Sequence, residues 1–213
     1  MSLKRKLLGL SLLAAVAAVT VVVMSASASN REGHWATPKV AGASITGKQD
    51  LTHVMEFSVE GATGIICETS KWDTTTEAET AKFLEIVPSV ANCKTTGGVA
   101  NQVTIKVNGC AFDLYVAKGT VETTEQTADL LCGAVPIEII HNFCTVTIGT
   151  QKSLTGITYK DIKPFATGVT ASFNVKLAAS ADGGLCPKVT TAKLSGSLIF
   201  EAFSGVLVNL EVT

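Results

Sequence analysis

The side chains in this sequence that could do chemistry are three histidines, six cysteines and a few paired carboxylates. His34 adjoins Trp35, His53 shares a two-residue phase with Met55 and Phe57, and His141 precedes Asn142 in an expected turn. A general base needs a partner that fixes its orientation, and none stands beside any of the three. A triad assembled from distant segments could draw on one of them with Asp113 or Asp161 and a serine. The sequence holds neither a Gly-x-Ser-x-Gly elbow nor a His-Glu-x-x-His helix, so His53 reads as a sheet histidine rather than a base. Glu77 with Glu79, and Glu122 with Glu125, lack the Asp-rich loop and fixed glycine of a tight calcium site, and read as solvated loop faces. No catalytic residue and no cofactor is expected.

Cysteine spacing argues against a metal. Zinc ligands usually fall two to four residues apart, whereas the closest pair here, Cys132 and Cys144, is separated by twelve positions without a histidine at ligand spacing. In an oxidising compartment an even number of cysteines reads instead as disulfides, and six allow 15 pairings. Local pattern narrows the choice. Cys110 opens the run Cys-Ala-Phe-Asp-Leu-Tyr-Val, Cys132 ends Ala-Asp-Leu-Leu-Cys, and the polar stretch from Lys118 to Thr127 can fold back between them as a hairpin. That pairs Cys110 with Cys132 and leaves Cys67 with Cys93 and Cys144 with Cys186. Each bridge is expected to stabilise by about 3–4 kcal/mol on the chain-entropy model.

The oxidising compartment is itself read from the N-terminus. Lys4, Arg5 and Lys6 precede an uncharged apolar run from Leu7 to Met24, which closes on Ala26-Ser27-Ala28. A basic region, an apolar stretch and a small-x-small site make a secretory signal, with cleavage expected after Ala28. The competing reading is an uncleaved anchor, since 18 apolar residues approach a bilayer span. Cleavage removes three of the 17 basic residues and none of the 18 acidic ones, leaving 14 − 18, or −4. Without a basic cluster to displace counterions from phosphates, nucleic acid is excluded as a partner. Residues 29–213 are expected to be secreted or cell-wall associated, with no membrane contact once the signal is removed.

Periodicity then sets the fold class. Val169, Ala171, Phe173, Val175 and Leu177 alternate with Thr170, Ser172, Asn174 and Lys176, the pattern of a half-buried strand. Six further segments alternate likewise: Met55–Val59, Val103–Val107, Phe112–Val116, Cys144–Ile148, Leu198–Ala202 and Val206–Val212. Asn108-Gly109, Gly97-Gly98, Lys118-Gly119, Asp182-Gly183-Gly184 and Ser204-Gly205 punctuate them with turn chemistry. Two antiparallel sheets packed as a disulfide-stapled β-sandwich bury both apolar faces, either as one domain or as two small β subdomains. One exception is expected: Thr76 and Glu79 have capping-box spacing, and Phe83, Leu84 and Val87 share a helical face, predicting a short helix over 77–87. Trp35 and Trp72 fall in expected loops, where an indole can stack on a sugar or anchor a protein interface.

The phrase Asn-Gly-Cys-x-Phe-x-Leu from Asn108, Leu131-Cys132, and Cys144 followed by Val146, Ile148 and Gln151 resemble exported cysteine-containing β-proteins of unknown function from high-GC Gram-positive bacteria, over about residues 100 to 160. The resemblance implies no active site. The expected function is a non-catalytic secreted or envelope module, binding or structural, with an envelope protein or glycan as partner. The alternatives are a carbohydrate-binding module resting on Trp35 and Trp72, and a hydrolase with a dispersed site.

Overall fold

The computed structural model describes residues 31–37, 41–60, 64–97, 101–118, 124–162, 167–183 and 186–213. The expected signal segment 1–28, Glu122 and the expected turn glycines Gly98, Gly119 and Gly184 lie outside the described residues. Every regular element among the described residues is a strand. In chain order these are β1 (Trp35–Ala36), β2 (Ser44–Gln49), β3 (Glu56–Val59), β4 (Ile65–Thr75), β5 (Thr80–Ala81), β6 (Phe83–Thr95), β7 (Gln102–Lys106), β8 (Ala111–Tyr115), and β9 (Gln126–Leu131). They continue with β10 (Ile137–His141), β11 (Cys144–Ile148), β12 (Gln151–Asp161), β13 (Gly168–Ala178), β14 (Ser180–Asp182), β15 (Thr191–Phe203), β16 (Leu207–Val208) and β17 (Glu211–Val212).

All-β antiparallel structure and three disulfides are present, but the sheet closes on itself where a sandwich would leave edges. Pairing runs β6–β8–β9–β12–β13–β15–β2–β4 and returns from β4 to β6, an eight-stranded barrel. Closure follows from β4 and β6, which are long enough to pair with each other and still hold a different partner on their other sides. It removes the open edges that two stacked sheets would have to protect. Eight strands enclose just enough room for side chains, and Trp72 fills it, 5.3 Å from Phe112 and 5.6 Å from Phe173 between ring centroids.

The long strands change partners half-way along. On β4 and β15, β2 gives way to β3, and on β6, β8 gives way to β7. From β7 the sheet continues through β10 and β11 to β14, which follows β13 directly through Ala179. At the changeover the buried positions shift phase, from Ser70 and Trp72 to Ile65 and Cys67 on β4, and from Leu84 and Ile86 to Cys93 and Thr95 on β6. The β4–β6 register runs unbroken through the shift, so the two strands turn over together. Cys67 and Cys93 sit there as direct cross-strand partners and are bridged. Cys110–Cys132 extends the β8–β9 ladder by one pair beyond Ala111 and Leu131, and Cys144–Cys186 ties the start of β11 to the chain after β14. These are the same three pairs read from the sequence.

The helix expected over 77–87 does not form. Leu84 and Ile86 point inward and pair with Leu114 and Phe112 of β8, while Phe83 and Val87 are 39% and 46% exposed, a period of two rather than 3.6. A short helix is marginal in water, and the cross-strand contacts of β6 outweigh its local preference. The alternating run Val206–Val212 is likewise split into β16 and β17.

One end of the barrel is closed by a small sheet in which β1 lies between β5 and β17. His34 and Thr213 exchange backbone hydrogen bonds of 2.7 and 2.9 Å. Trp35 reaches inward from β1, donates from Nε1 to the Leu114 carbonyl at 3.0 Å, and lies 4.8 Å from Tyr159 and 6.0 Å from Phe200. Gly33 permits this entry, because a Cβ there would come within 2.5 Å of Val116 Cγ1 and 2.8 Å of the Ala117 carbonyl.

Candidate functional site

The two indoles expected at a ligand surface are instead the centre of the core. Trp35 and Trp72 are each 1% exposed and stand on strands, not loops. A closed barrel needs its largest side chains inside, so neither indole can meet a sugar ring.

The histidines are scattered. His34 is half-buried on the segment entering β1. His141 ends β10 opposite Cys144, with Nε2 3.3 Å from the Asn142 amide nitrogen, and borders an apolar opening of about 100 Å³ that also touches Ile139, Val146, Pro187 and Val189. His53 lies on the loop between β2 and β3 rather than on a strand, and its side chain is 72% exposed. Its Nδ1 is 2.9 Å from Thr52 Oγ1 and 3.6 Å from Asp50 Oδ2. Hydrogen bonds from the Thr52 hydroxyl and backbone N–H hold the Asp50 carboxyl below the usual range.

His53 and Asp50 border a shallow depression of about 350 Å³ with Thr170, Ser172 and Ser197. Histidine, aspartate and serine therefore meet here, but the two serine hydroxyls bond each other at 3.0 Å. The imidazole is mostly in water, and its oriented nitrogen faces Thr52. That arrangement does not activate a nucleophile, which needs its hydroxyl on the base.

Three of the four carboxylates expected on loop faces, Glu77, Glu79 and Glu125, are described and lie there. Glu77 and Glu79 are exposed, and Glu125 Oε1 accepts from the Gly156 N–H at 2.8 Å. Asp161 accepts from the Val212 N–H at 3.3 Å. Among the described residues no group of three or more His, Cys, Asp or Glu could hold a metal.

The sequence reading missed the densest polar cluster. Glu85, Asp113 and Asp129 face one another in a row across β6, β8 and β9 on the outer wall. Arg31 folds over the row, with guanidinium nitrogens 2.7 and 3.2 Å from the two Asp129 oxygens, and lies 3.7 Å from the Tyr115 ring centroid. The Ser153 N–H donates to Asp129 Oδ1 at 2.7 Å. Burial pushes the Asp129 carboxyl up, but the Arg31 and Ser153 hydrogen bonds outweigh it and leave it below the usual range. Asp113 moves the other way: burial first, then Glu85 and Asp129, push it up, and its buried Oδ1 has no hydrogen-bond partner. Alternation of Leu84, Ile86, Phe112, Leu114, Ala128 and Leu130 could have placed the three carboxylates on one face; nothing near Arg31 announced its partner.

A second outward surface follows β13 and β15. Ser172 stands opposite Ser197, Asn174 opposite Ser195, and Lys176 opposite Lys193. The depression beside His53 covers one end of this strip, and another of about 370 Å³, bordered by Ser58, Glu60, Asn174, Lys176, Thr191 and Lys193, covers the other. Known proteins supply no name for either surface: no family model matches the sequence, and no curated protein or solved structure matches the chain.

Proposed function

We propose that this chain is an exported, non-catalytic module of the cell surface or its surroundings, binding or structural, which acts through the outer wall of its barrel. The observation that carries the reading is the filled interior. Trp35, Trp72, Tyr159, Phe112 and Phe200 occupy the space in which a barrel of this size would otherwise hold a small ligand, leaving only the outside for recognition. Three disulfides are consistent with an extracellular location, where oxidised pairs persist. The basic-apolar-small pattern over residues 1–28 and the resemblance of residues 100 to 160 to exported β-proteins support the same reading. A hydrolase receives no support from His53 or His141, since neither is hydrogen-bonded to a serine. A glycan module cannot rest on Trp35 and Trp72.

Mass spectrometry of the protein recovered from its producer's medium and envelope tests the proposal. The expected species begins at Ser29 and gains the mass of six hydrogens on reduction. A species that retains residues 1–28 or carries free thiols contradicts export with three bridges. Turnover in a broad hydrolase screen that disappears in His53→Ala contradicts the non-catalytic reading.

A further inference from the structure

We propose that the outer face of β13 and β15 binds an acidic polysaccharide, with Lys176 and Lys193 holding its anionic groups and Ser172, Asn174 and Ser195 holding its hydroxyls. This rests on the reading of the chain as a surface-acting module and names the chemistry of its ligand.

The lysines are the first reason. Lys176 and Lys193 are direct partners in the β13–β15 register, both exposed. Like charges placed opposite each other on one face of a sheet repel and weaken it. Four lysines elsewhere are answered by carboxylates, in Lys48–Glu201, Lys94–Glu68, Lys106–Glu138 and Lys118–Glu32, and the other facing pair, Lys48 opposite Lys71, is relieved in this way through Glu201. Among the described residues no carboxylate pairs with Lys176 or Lys193. Of the carboxylates on the β3 side, Glu60 is turned to the Thr190 and Thr191 hydroxyls at 3.1 and 2.9 Å, and Glu56, opposite Ser195, lies against Gly64. Two cations left facing each other on a chain expected to be acidic mark a place for an anion from outside.

The neighbouring rows are the second reason. From Thr170 to Lys176 the strip runs about 20 Å along the strand, lined on β13 by the hydroxyls of Thr170 and Ser172 and the Asn174 amide, with Ile199 opposite Thr170 and depressions at both ends. Short hydroxyl and amide side chains both donate and accept, which suits a ligand dense in hydroxyl groups. The β13 and β15 backbones are paired with each other along 11 residue pairs, so a ligand lying across this face meets side chains rather than main-chain groups. The surface thus favours a polyhydroxylated anion over an acidic protein segment.

Binding of the purified protein to dextran sulfate and to polygalacturonate at low salt tests this, with neutral dextran and poly-glutamate as comparators. The expected result is binding to both acidic polysaccharides, weakened about ten-fold by Lys176→Gln with Lys193→Gln and accompanied by a shallower salt dependence. Ser172→Ala with Asn174→Ala should weaken polygalacturonate while leaving poly-glutamate unchanged. Lys193→Glu separates recognition from folding. It converts a repulsive pair into an attractive one, so it should raise the melting temperature by about 1–3 °C while abolishing polysaccharide binding. The proposal is overturned if the wild type binds neither acidic polysaccharide, if binding survives both lysine replacements, or if poly-glutamate binds as tightly and is equally insensitive to Ser172 and Asn174. A protein correctly exported and bridged that binds neither polymer sinks this inference alone; one found with free thiols sinks the broader reading whatever it binds.

Discussion

Asp113 and Asp129 stand opposite each other, 16 positions apart in sequence, and are driven in opposite directions by what covers them. Asp113 is raised, so the folded state favours its protonated form. The stability it lends is full below the unfolded aspartate value of about 3.9 and fades as pH rises through its folded value. Asp129 is lowered, so its contribution is present above that unfolded value and disappears as pH falls below it. The pair is therefore expected to be most stabilising in mildly acidic solution. Asp113→Asn removes the charge that Glu85 and Asp129 repel, and should stabilise the protein at pH 7–8 by roughly 1 kcal/mol with little effect near pH 4. Thermal melts across that range check it, and equal shifts at both pH values count against the argument. The sequence offered Asp113 only as a triad member; its environment depends on three strands and Arg31, which no short pattern connects.

Among the elements, strands with strict alternation were readable because one face meets water and the other the core. β13 shows this most clearly, with Val169, Ala171, Phe173, Val175 and Leu177 all buried. β6 was misread because Leu84 and Ile86 sit among Thr, Glu and Ala residues that also fit a helix, and only β8 decides between the two periods. Trp72 reads as a loop residue for a related reason, since its neighbours Lys71 and Asp73 are polar and face outward, while Trp35 stands on a two-residue strand too short to show alternation. The hairpin logic for Cys110 and Cys132 needed nothing beyond local sequence, and the β8–β9 ladder supplies the geometry. The three bridges close loops of 26, 22 and 42 residues, so the chain-entropy model gives each about 3–4 kcal/mol and does not rank them. Position does. Cys144–Cys186 anchors only the β10–β11–β14 side, so its replacement by alanines should speed amide exchange in those strands while β8, β9 and β12 stay protected. Uniform loss of protection would mean that the two halves are not separable.

At the scale of the molecule, closure explains why a strand-rich chain has little exposed edge, and why its interior is an aromatic stack rather than a ligand chamber. Trp35 is the part of that stack delivered by a strand outside the ring. Trp35→Ala should cost about 3–5 kcal/mol, measurable by denaturant unfolding; a cost below about 1 kcal/mol would show that the end closure is ornamental.

The zipper between β1 and β17 adds a constraint in time. His34 and Thr213 bond across a sequence separation of 179 residues. Loop closure over such a distance must be met before its contacts contribute, which places this step late and slow among folding events. A chain emerging in order through a narrow exit would present Trp35 long before its seat beneath β17 exists. Until then that indole and the aromatic rings it covers would be open to solvent, a sticky intermediate whose lifetime is set by how fast the last strands arrive.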